Sequence, residues 1–431
     1  MQPTYSKQQI IHSLSLASNS AYGLSFPNNQ DCGKSFEQLQ GFVSGLATAL
    51  LAQKEIKKLI GDDWKEVWGP VVYATDENSS AAIADNTMGV YYSPQLNLFV
   101  IAIAGTNPIS YFGWMHEDFD VNKTVSWKSI TGKGKGAIAQ GTARGLEILT
   151  KKMKFQGRGL LEGLQHFIYE NGIKAAEVAV AGHSLGGALS PALALYLLHT
   201  QATWDTTNSM KIATYPSAGP TIGTHPKLGE SFVSYYESLL AKDGALTFGK
   251  IAYHAVKNDL DIVPMAWQAS TLAAIPTLYQ DFGITPDMIG PITQIAAINK
   301  ISTRPLPHVK NYRQIQPLTA LKGSFDKASD QVLRTKFSFV RYFTPKQLHA
   351  FTPALENLVR FLMQAGYQHT TAYSSLLQIT QFMDRYDALR TALIPDNCTQ
   401  KDCVQDQVST LTGIDMTQLL ALQPEPSTEE V

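Results

Sequence analysis

The chain has 431 residues, 44% of them hydrophobic and 16% charged, with a formal net charge of −1. That is ample apolar material for a sizeable core, and near-neutrality excludes nucleic acid as a partner of the surface as a whole. Three cysteines, Cys32, Cys398 and Cys403, give an odd count without metal-ligand spacing and read as unpaired thiols; Cys398 and Cys403 would close a small loop only in an oxidising compartment.

The opening MQPTYSKQQIIHSLSL lacks a charged region followed by an apolar run, so no signal peptide is expected. No apolar stretch reaches membrane-spanning length. The expectation is a soluble or peripheral protein, cytoplasmic or exported by a route that uses no N-terminal signal. Ser6 with Gln9 and Ser35 with Gln38 form capping boxes that predict helices over about 7–21 and 36–60. No chemistry is visible in them, and they are expected to cover the edge or face of a sheet. Strands are predicted at 71–75, 87–93 and 96–104, the last two joined as a hairpin at Pro94-Gln95. The third, LNLFVIAIA, is almost wholly apolar and should be central, ending in the turn residues Gly105-Thr106-Asn107-Pro108.

From Val121 to Arg158 nine Lys or Arg stand against one acid, Glu147, a local excess of +8. Part of this stretch is predicted as a helix over about 137–154 with a solvated face; a platform for anionic lipid headgroups is the sharper reading.

The most informative stretch is EVAVAGHSLGGALSPALALYLLHT at 177–200. Val178 to Gly182 are small or β-branched, which suits a strand buried on both faces. Gly182-His183-Ser184-Leu185-Gly186 follows at once, then an Ala/Leu-rich run long enough for a helix. Strand, tight turn and helix with a serine at the apex is the geometry of a nucleophile elbow, where flanking glycines let the chain turn sharply and expose Oγ.

Beyond it, strands are predicted at 211–215 and 250–256 with a helix at about 226–242 between them. Alternating strands and helices on either side of the elbow argue for an α/β fold with a mostly parallel sheet covered on both faces. Residues 265–305 break the pattern: they are apolar, Pro-interrupted and poor in charge, and read either as extra core or as the wall or lid of an acyl pocket. Thr344-Pro345-Lys346-Gln347 and Thr352-Pro353 start helices, with Gly366 expected to end the second. A last long helix opens at Thr370 or Thr371, which places His369 in a short interhelical loop. The tail from Leu422 is acidic and Pro-containing and reads as disordered.

A serine hydroxyl needs a base within hydrogen-bond reach, itself oriented by a carboxylate. In the chain order of α/β-hydrolases both follow the serine, acid first. Asp259 and Asp261 stand at a predicted strand end, and Asp261, followed by Ile-Val-Pro, is preferred. Among histidines, His183 points away from the serine on a sharp turn and His254 precedes the acid. His308, His349 and His369 remain, and residue logic separates them poorly. For the oxyanion, one N–H donor comes from Leu185 and the other from the strand end at Gly105-Thr106.

With these residues in view the chain resembles the class 3 (fungal-type) lipase family of the α/β-hydrolase superfamily over roughly 88–375. GHSLGG at 182–187 and AGT at 104–106 carry the likeness, the latter resembling the family's F-R-G-T/S oxyanion segment. TYPSAGPTIG at 214–223, DIVP at 261–264 and PHVKNYRQI at 307–315 continue it. The last resembles a strand whose histidine is structural in the family, which demotes His308. HTTAY at 369–373 is similar to the late segment that carries the base. The resemblance therefore implies Ser184 as nucleophile, Asp261 as acid, His369 as base, and Thr106 with Leu185 as the oxyanion hole. Departures are Ala104 and Pro220 in place of arginines, and Ala139 in place of a histidine.

The implied function is lipase or phospholipase-type hydrolysis of carboxylic esters through an acyl-enzyme. Its substrates would be acylglycerols or phospholipids at a lipid or membrane surface, with peripheral membrane contact, no metal or other cofactor and no nucleic acid. The alternatives are a catalytically silent lipid-binding protein and an acyltransferase using the same triad. The expected organisation is an N-terminal helical segment at 1–65, the hydrolase domain at 66–390 with its insertion at 265–305, and an extension at 391–431. The acidic tail also resembles the Glu-rich export signals of bacterial type IV secreted effectors.

Overall fold

The computed structural model describes residues 1–27, 35–75, 81–107, 110, 120–284, 311–343, 352–395 and 399–400, with side chains for all but 27, 337–343, 352–355 and 399–400. His308, His349, the three cysteines, residues 285–305, the helix start at Thr344 and the acidic tail lie outside them.

The main sheet has eight strands: β1 (Lys65–Tyr73), β2 (Asn86–Ser93), β3 (Leu98–Ile103), β4 (Glu177–His183), β5 (Lys211–Ser217), β6 (Ile251–Tyr253), β7 (Ala255–Asn258) and β8 (Leu318–Leu321). Their order is β8-β7-β5-β4-β3-β2-β1, with β6 beside β5. The hairpin side, β1 to β3, is antiparallel; from β3 onward every pairing is parallel. All residues of β3 and of β4 are buried, as continuous apolar runs in the middle of a doubly covered sheet require. Their register sets Ile103 opposite Gly182, and His183 lies opposite Ser217 of β5. Three strand ends thus meet at one edge, the setting of an α/β-hydrolase site.

Alternation along β4 divides the core. Val178 and Val180 face the helix Leu185–His199 and the aromatic side of the sheet, packing with Phe99, Leu189 and Leu193. Ala179 and Ala181 point the other way. With Ala102 and Ala213 they form a low surface on which Ile10, Ile11 and Leu14 of the helix Lys7–Ala17 lie, beside Phe382 and Tyr386 of Thr380–Leu393. Short side chains let these helices approach closely, so both ends of the described chain are built into one face.

Several boundaries differ from expectation. The helix expected over 36–60 breaks at Gln53, whose ψ of 130° is extended, into Ser35–Ala52 and Lys54–Ile60. The strand expected at 71–75 begins at Lys65. The helix expected over 137–154 opens as a strand, Ala137–Ala139, because those residues pair with Thr124–Ser126; the helix proper is Gln140–Glu147 with a widened turn at Ile148–Lys152. The helix expected at 226–242 is only Phe232–Ser238. Gly366 does not end its helix, which runs Thr352–His369. The last helix is divided into Ala372–Leu376 and Thr380–Leu393 by Gln378 at φ 57°.

The described part of the apolar insertion packs as extra core. Ile275, Tyr279 and Ile284 join Phe361 and Ala365 of the helix Thr352–His369. Arg360 of that helix, 3% exposed, pairs with Asp330 at 2.6 Å and donates to the carbonyls of Phe282 and Gly283. No helix among the described residues is long and apolar enough to cross a membrane.

His12 is 4% exposed and its Nδ1 has no hydrogen-bond partner among the described residues. Burial, then the neighbouring His254, pushes its pKa down to about 4. An unfolded histidine titrates near ~6.5, so between these values the unfolded chain binds more protons than the folded one. The stability carried by the neutral ring is complete above about pH 6.5 and is lost as pH falls toward 4, at up to about 1.4 kcal/mol per pH unit. His12→Leu should flatten the fall in stability between pH 6.5 and 4.5, measured by urea unfolding at a series of pH values.

Candidate active site

Strand β4 hands the chain directly to the helix Leu185–His199 through Ser184, whose φ of 60° and ψ of −121° are those of the first central position of a type II′ turn, ordinarily a glycine's. A non-glycine residue in that region is strained and persists only where its surroundings dictate it. Here they are backbone packed on backbone. A Cβ on Gly182 would lie 2.1 Å from Gly186 O; on Gly186, 2.3 Å from Ile103 O; on Gly187, 2.3 Å from Ser217 O. The glycines of the motif are thus consumed by the approach of the new helix to β3, β4 and β5. Ser184 N–H donates to Ser217 O at 3.0 Å, which pins the apex to β5.

His369 Nε2 lies 2.8 Å from Ser184 Oγ, and its Nδ1 lies 2.9 Å from Asp261 Oδ2. Asp261, 1% exposed, also accepts from Tyr373 Oη (3.0 Å) and from Val263 N–H (2.9 Å). Three donors converge on it, the setting in which a buried carboxylate is tolerated. A carboxylate accepts only, so the ring proton sits on Nδ1 and Nε2 is left to accept from the serine hydroxyl. Burial first, then the Asp261 charge, raises the pKa of Tyr373 well above the ordinary phenol value and keeps its hydroxyl a donor.

His369 is the last residue of its helix, not a loop residue, and two outside donors hold that helix end. Asn258 Nδ2 donates to Gln368 O (3.0 Å) and to Gln368 Oε1 (2.7 Å). His183 Nε2 donates to His369 O at 2.7 Å. Terminal carbonyls of a helix have no intrahelical partner, and here they become handles that fix the imidazole. His183 is fully buried; desolvation, then His369, lowers its pKa well below the usual value. It is therefore a neutral strut, with Nδ1 3.2 Å from Ser217 Oγ.

The remaining candidates fall elsewhere. Asp259 accepts from Gly323 N–H at 2.6 Å and shapes a loop. His254 stacks on Tyr215, ring centroids 4.6 Å apart, just after Tyr253 pairs with Thr214 in mid-sheet. Gly105 lies against the elbow: a Cβ there would be 3.0 Å from His183 O and 3.2 Å from Ser184 Cβ. Thr106, 9% exposed, follows it, and Leu185 opens the helix, where N–H groups lack intrahelical acceptors. Asn258, Gln368 and Tyr373 hold the site without standing out by composition, and only Tyr373 leaves a signal in the sequence, one helical turn after His369.

Two substitutions probe this construction. Gly186→Ala should cost about 3 kcal/mol or more, or abolish soluble expression, since rigid backbone cannot retreat. Tyr373→Phe leaves the Asn258 N–H without its 2.8 Å partner and should cost about 1–3 kcal/mol in denaturant unfolding.

Residues 100–270 match the model of the lipase (class 3) family. No curated protein sequence matches the chain. Among solved structures, M37 lipase aligns with a TM-score of 0.59 and 26% identity over 90% of this chain and 99% of that one. More remote are the lipase from Rhizopus microsporus var. chinensis (TM-score 0.34, 16% identity, 56% of this chain and 71% of that one) and Rhizomucor miehei triacylglyceride lipase (0.39, 18%, 61% and 74%). Residues 100–270 thus match the class 3 lipase family, and the sheet built around them is an α/β-hydrolase sheet like that of M37 lipase.

Proposed function

We propose that the protein hydrolyses lipid esters, acylglycerols or phospholipids, through an acyl-enzyme on Ser184. The observation that carries this is the unbroken hydrogen-bonded line from Ser184 Oγ through His369 to buried Asp261. Oγ attacks the ester carbonyl as its proton passes to His369 Nε2, and the carbonyl oxygen becomes an oxyanion. Leu185 N–H and Thr106 N–H are the donors toward it, each typically worth about 2.7–4 kcal/mol in such sites. The imidazolium forms between the Asp261 carboxylate and the negative end of the helix dipole, both of which favour it. Collapse returns the proton to the departing alcohol and leaves Ser184 acylated. Water then repeats the cycle: His369 takes its proton, the acid leaves, and Ser184 Oγ is reprotonated.

A headgroup preference is favoured by the basic stretch. Lys123, Lys128 and Lys135 are exposed, and Val121, at its start, packs with Trp267, six residues past Asp261. Exposed charge of this kind supports adsorption to anionic surfaces. An acyltransferase would use the same residues with a second alcohol in place of water, and product analysis separates the two.

A fluorophosphonate probe should modify Ser184 and nothing else in the triad, as located by peptide mass spectrometry. Ser184→Ala and His369→Ala should each lower kcat/KM on a short-chain p-nitrophenyl ester by about 10⁴-fold; wild-type turnover in Ser184→Ala sinks the reading. Hydrolysis should be faster on anionic than on neutral vesicles at low salt, and Lys123→Glu with Lys128→Glu should narrow that gap; equal rates remove the headgroup preference alone.

A further inference from the structure

Residues 18–23, which follow the first helix, run past the end of β3 and are bonded into it. Gly105 donates its N–H to Asn19 Oδ1 at 2.7 Å. Asn107 returns the contact, accepting from Gly23 N–H at 3.0 Å and donating from Nδ2 to Ala21 O at 3.3 Å. Asn19 lies at a kink in the turn Ser18–Ala21, with ψ of 27°. From the other side Arg390, in the helix Thr380–Leu393, donates Nε to Ser20 O at 2.9 Å and Nη2 to Tyr22 O. Gly105 therefore packs closely against two neighbours, the elbow at His183 and Ser184 and the Asn19 amide.

We propose that Asn19 is a positioning residue for the oxyanion site, acting through Gly105, with Arg390 holding the turn that presents it. This rests on reading Ser184 as nucleophile and Thr106 as an oxyanion donor. Glycine has no side chain to lock its own peptide, so the plane between Ala104 and Gly105 is fixed by what accepts its N–H. That plane is the fixed reference from which the Gly105 dihedrals aim the next N–H, that of Thr106. Oxyanion donors must be placed to within about half an ångström to be effective. An amide oxygen suits this position: it accepts the bond as a carboxylate would, without a negative charge beside the place where negative charge develops. Both Asn19 and Arg390 lie outside residues 100–270, which match the family model, so the brace comes from this chain's terminal segments.

In the full-length chain, Asn19→Ala should lower kcat on p-nitrophenyl butyrate about tenfold with KM within about twofold. The rate of Ser184 modification by a fluorophosphonate, whose P=O oxygen occupies the same site, should fall by a similar factor. Arg390→Met, which removes both bonds to the turn, should give the same split at about threefold. The melting temperature of each variant is measured alongside. Unchanged kcat in Asn19→Ala, a rise in KM alone, or losses that track the melting temperature overturn the inference while Ser184 labelling leaves the lipase reading intact. A wild type whose Ser184 the probe leaves unmodified overturns both.

Discussion

The imidazole of His369 touches one partner 185 positions earlier in the chain and another 108 positions earlier. Nothing local holds it there. Its helix ends at the very residue that carries it, and the final two carbonyls are taken up by Asn258 and His183, each close in the chain to one of its partners, Asp261 and Ser184. The backbone of His369 is thus anchored to the same two strand ends as its partners, so the relative position of all three depends on one sheet edge. Preorganisation of this kind removes most of the rotational freedom that would otherwise be lost at the reacting geometry.

That edge is sharp because glycine allows backbone to lie against backbone. Gly182 and Gly186 meet within the elbow, and Gly187 meets Ser217 and Gly219. The strain at Ser184 is sustained by this packing, and the reward is a hydroxyl raised over the strand ends with a helix N-terminus directly behind it. Around the base a second core forms: Ile275 and Tyr279 from the insertion join Phe361 and Ala365, and the Arg360–Asp330 pair reaches the carbonyls of Phe282 and Gly283. Breaking a buried pair leaves an uncompensated charge, at a cost of about 3–5 kcal/mol. The described part of the insertion is for that reason a fixed wall against the helix of His369.

The elbow was legible because every signal was local: an apolar β-branched run, a Gly-x-Ser-x-Gly turn and an Ala/Leu helix in immediate succession. The strand end carrying Asp261 was legible for the same reason. The base was harder. Residue logic left three histidines open, and resemblance singled out His369, since the contacts that distinguish it come from residues more than 100 positions away. Its setting was misread because Gly366 looked like a helix stop. A glycine inside a helix costs only about 1 kcal/mol, and the outside donors at Gln368 and His369 support the turn beyond it. At 137–139 the opposite happened, with strand pairing overriding helical composition. Asn19 left no mark in the sequence at all, because a turn asparagine is commonplace until its neighbour across space is known.

The alanine face of the sheet carries a wider implication. Ala102, Ala179, Ala181 and Ala213 act as a spacer of fixed thickness between the strands and the helix Lys7–Ala17, and that helix runs straight into the turn bearing Asn19. Thickening the spacer by even a methyl or two would lift the helix like a shim under a lever, with the far end of the lever at Gly105. Side-chain size at those four alanines thus sets the height of the turn that carries Asn19, and through it the seat of Gly105.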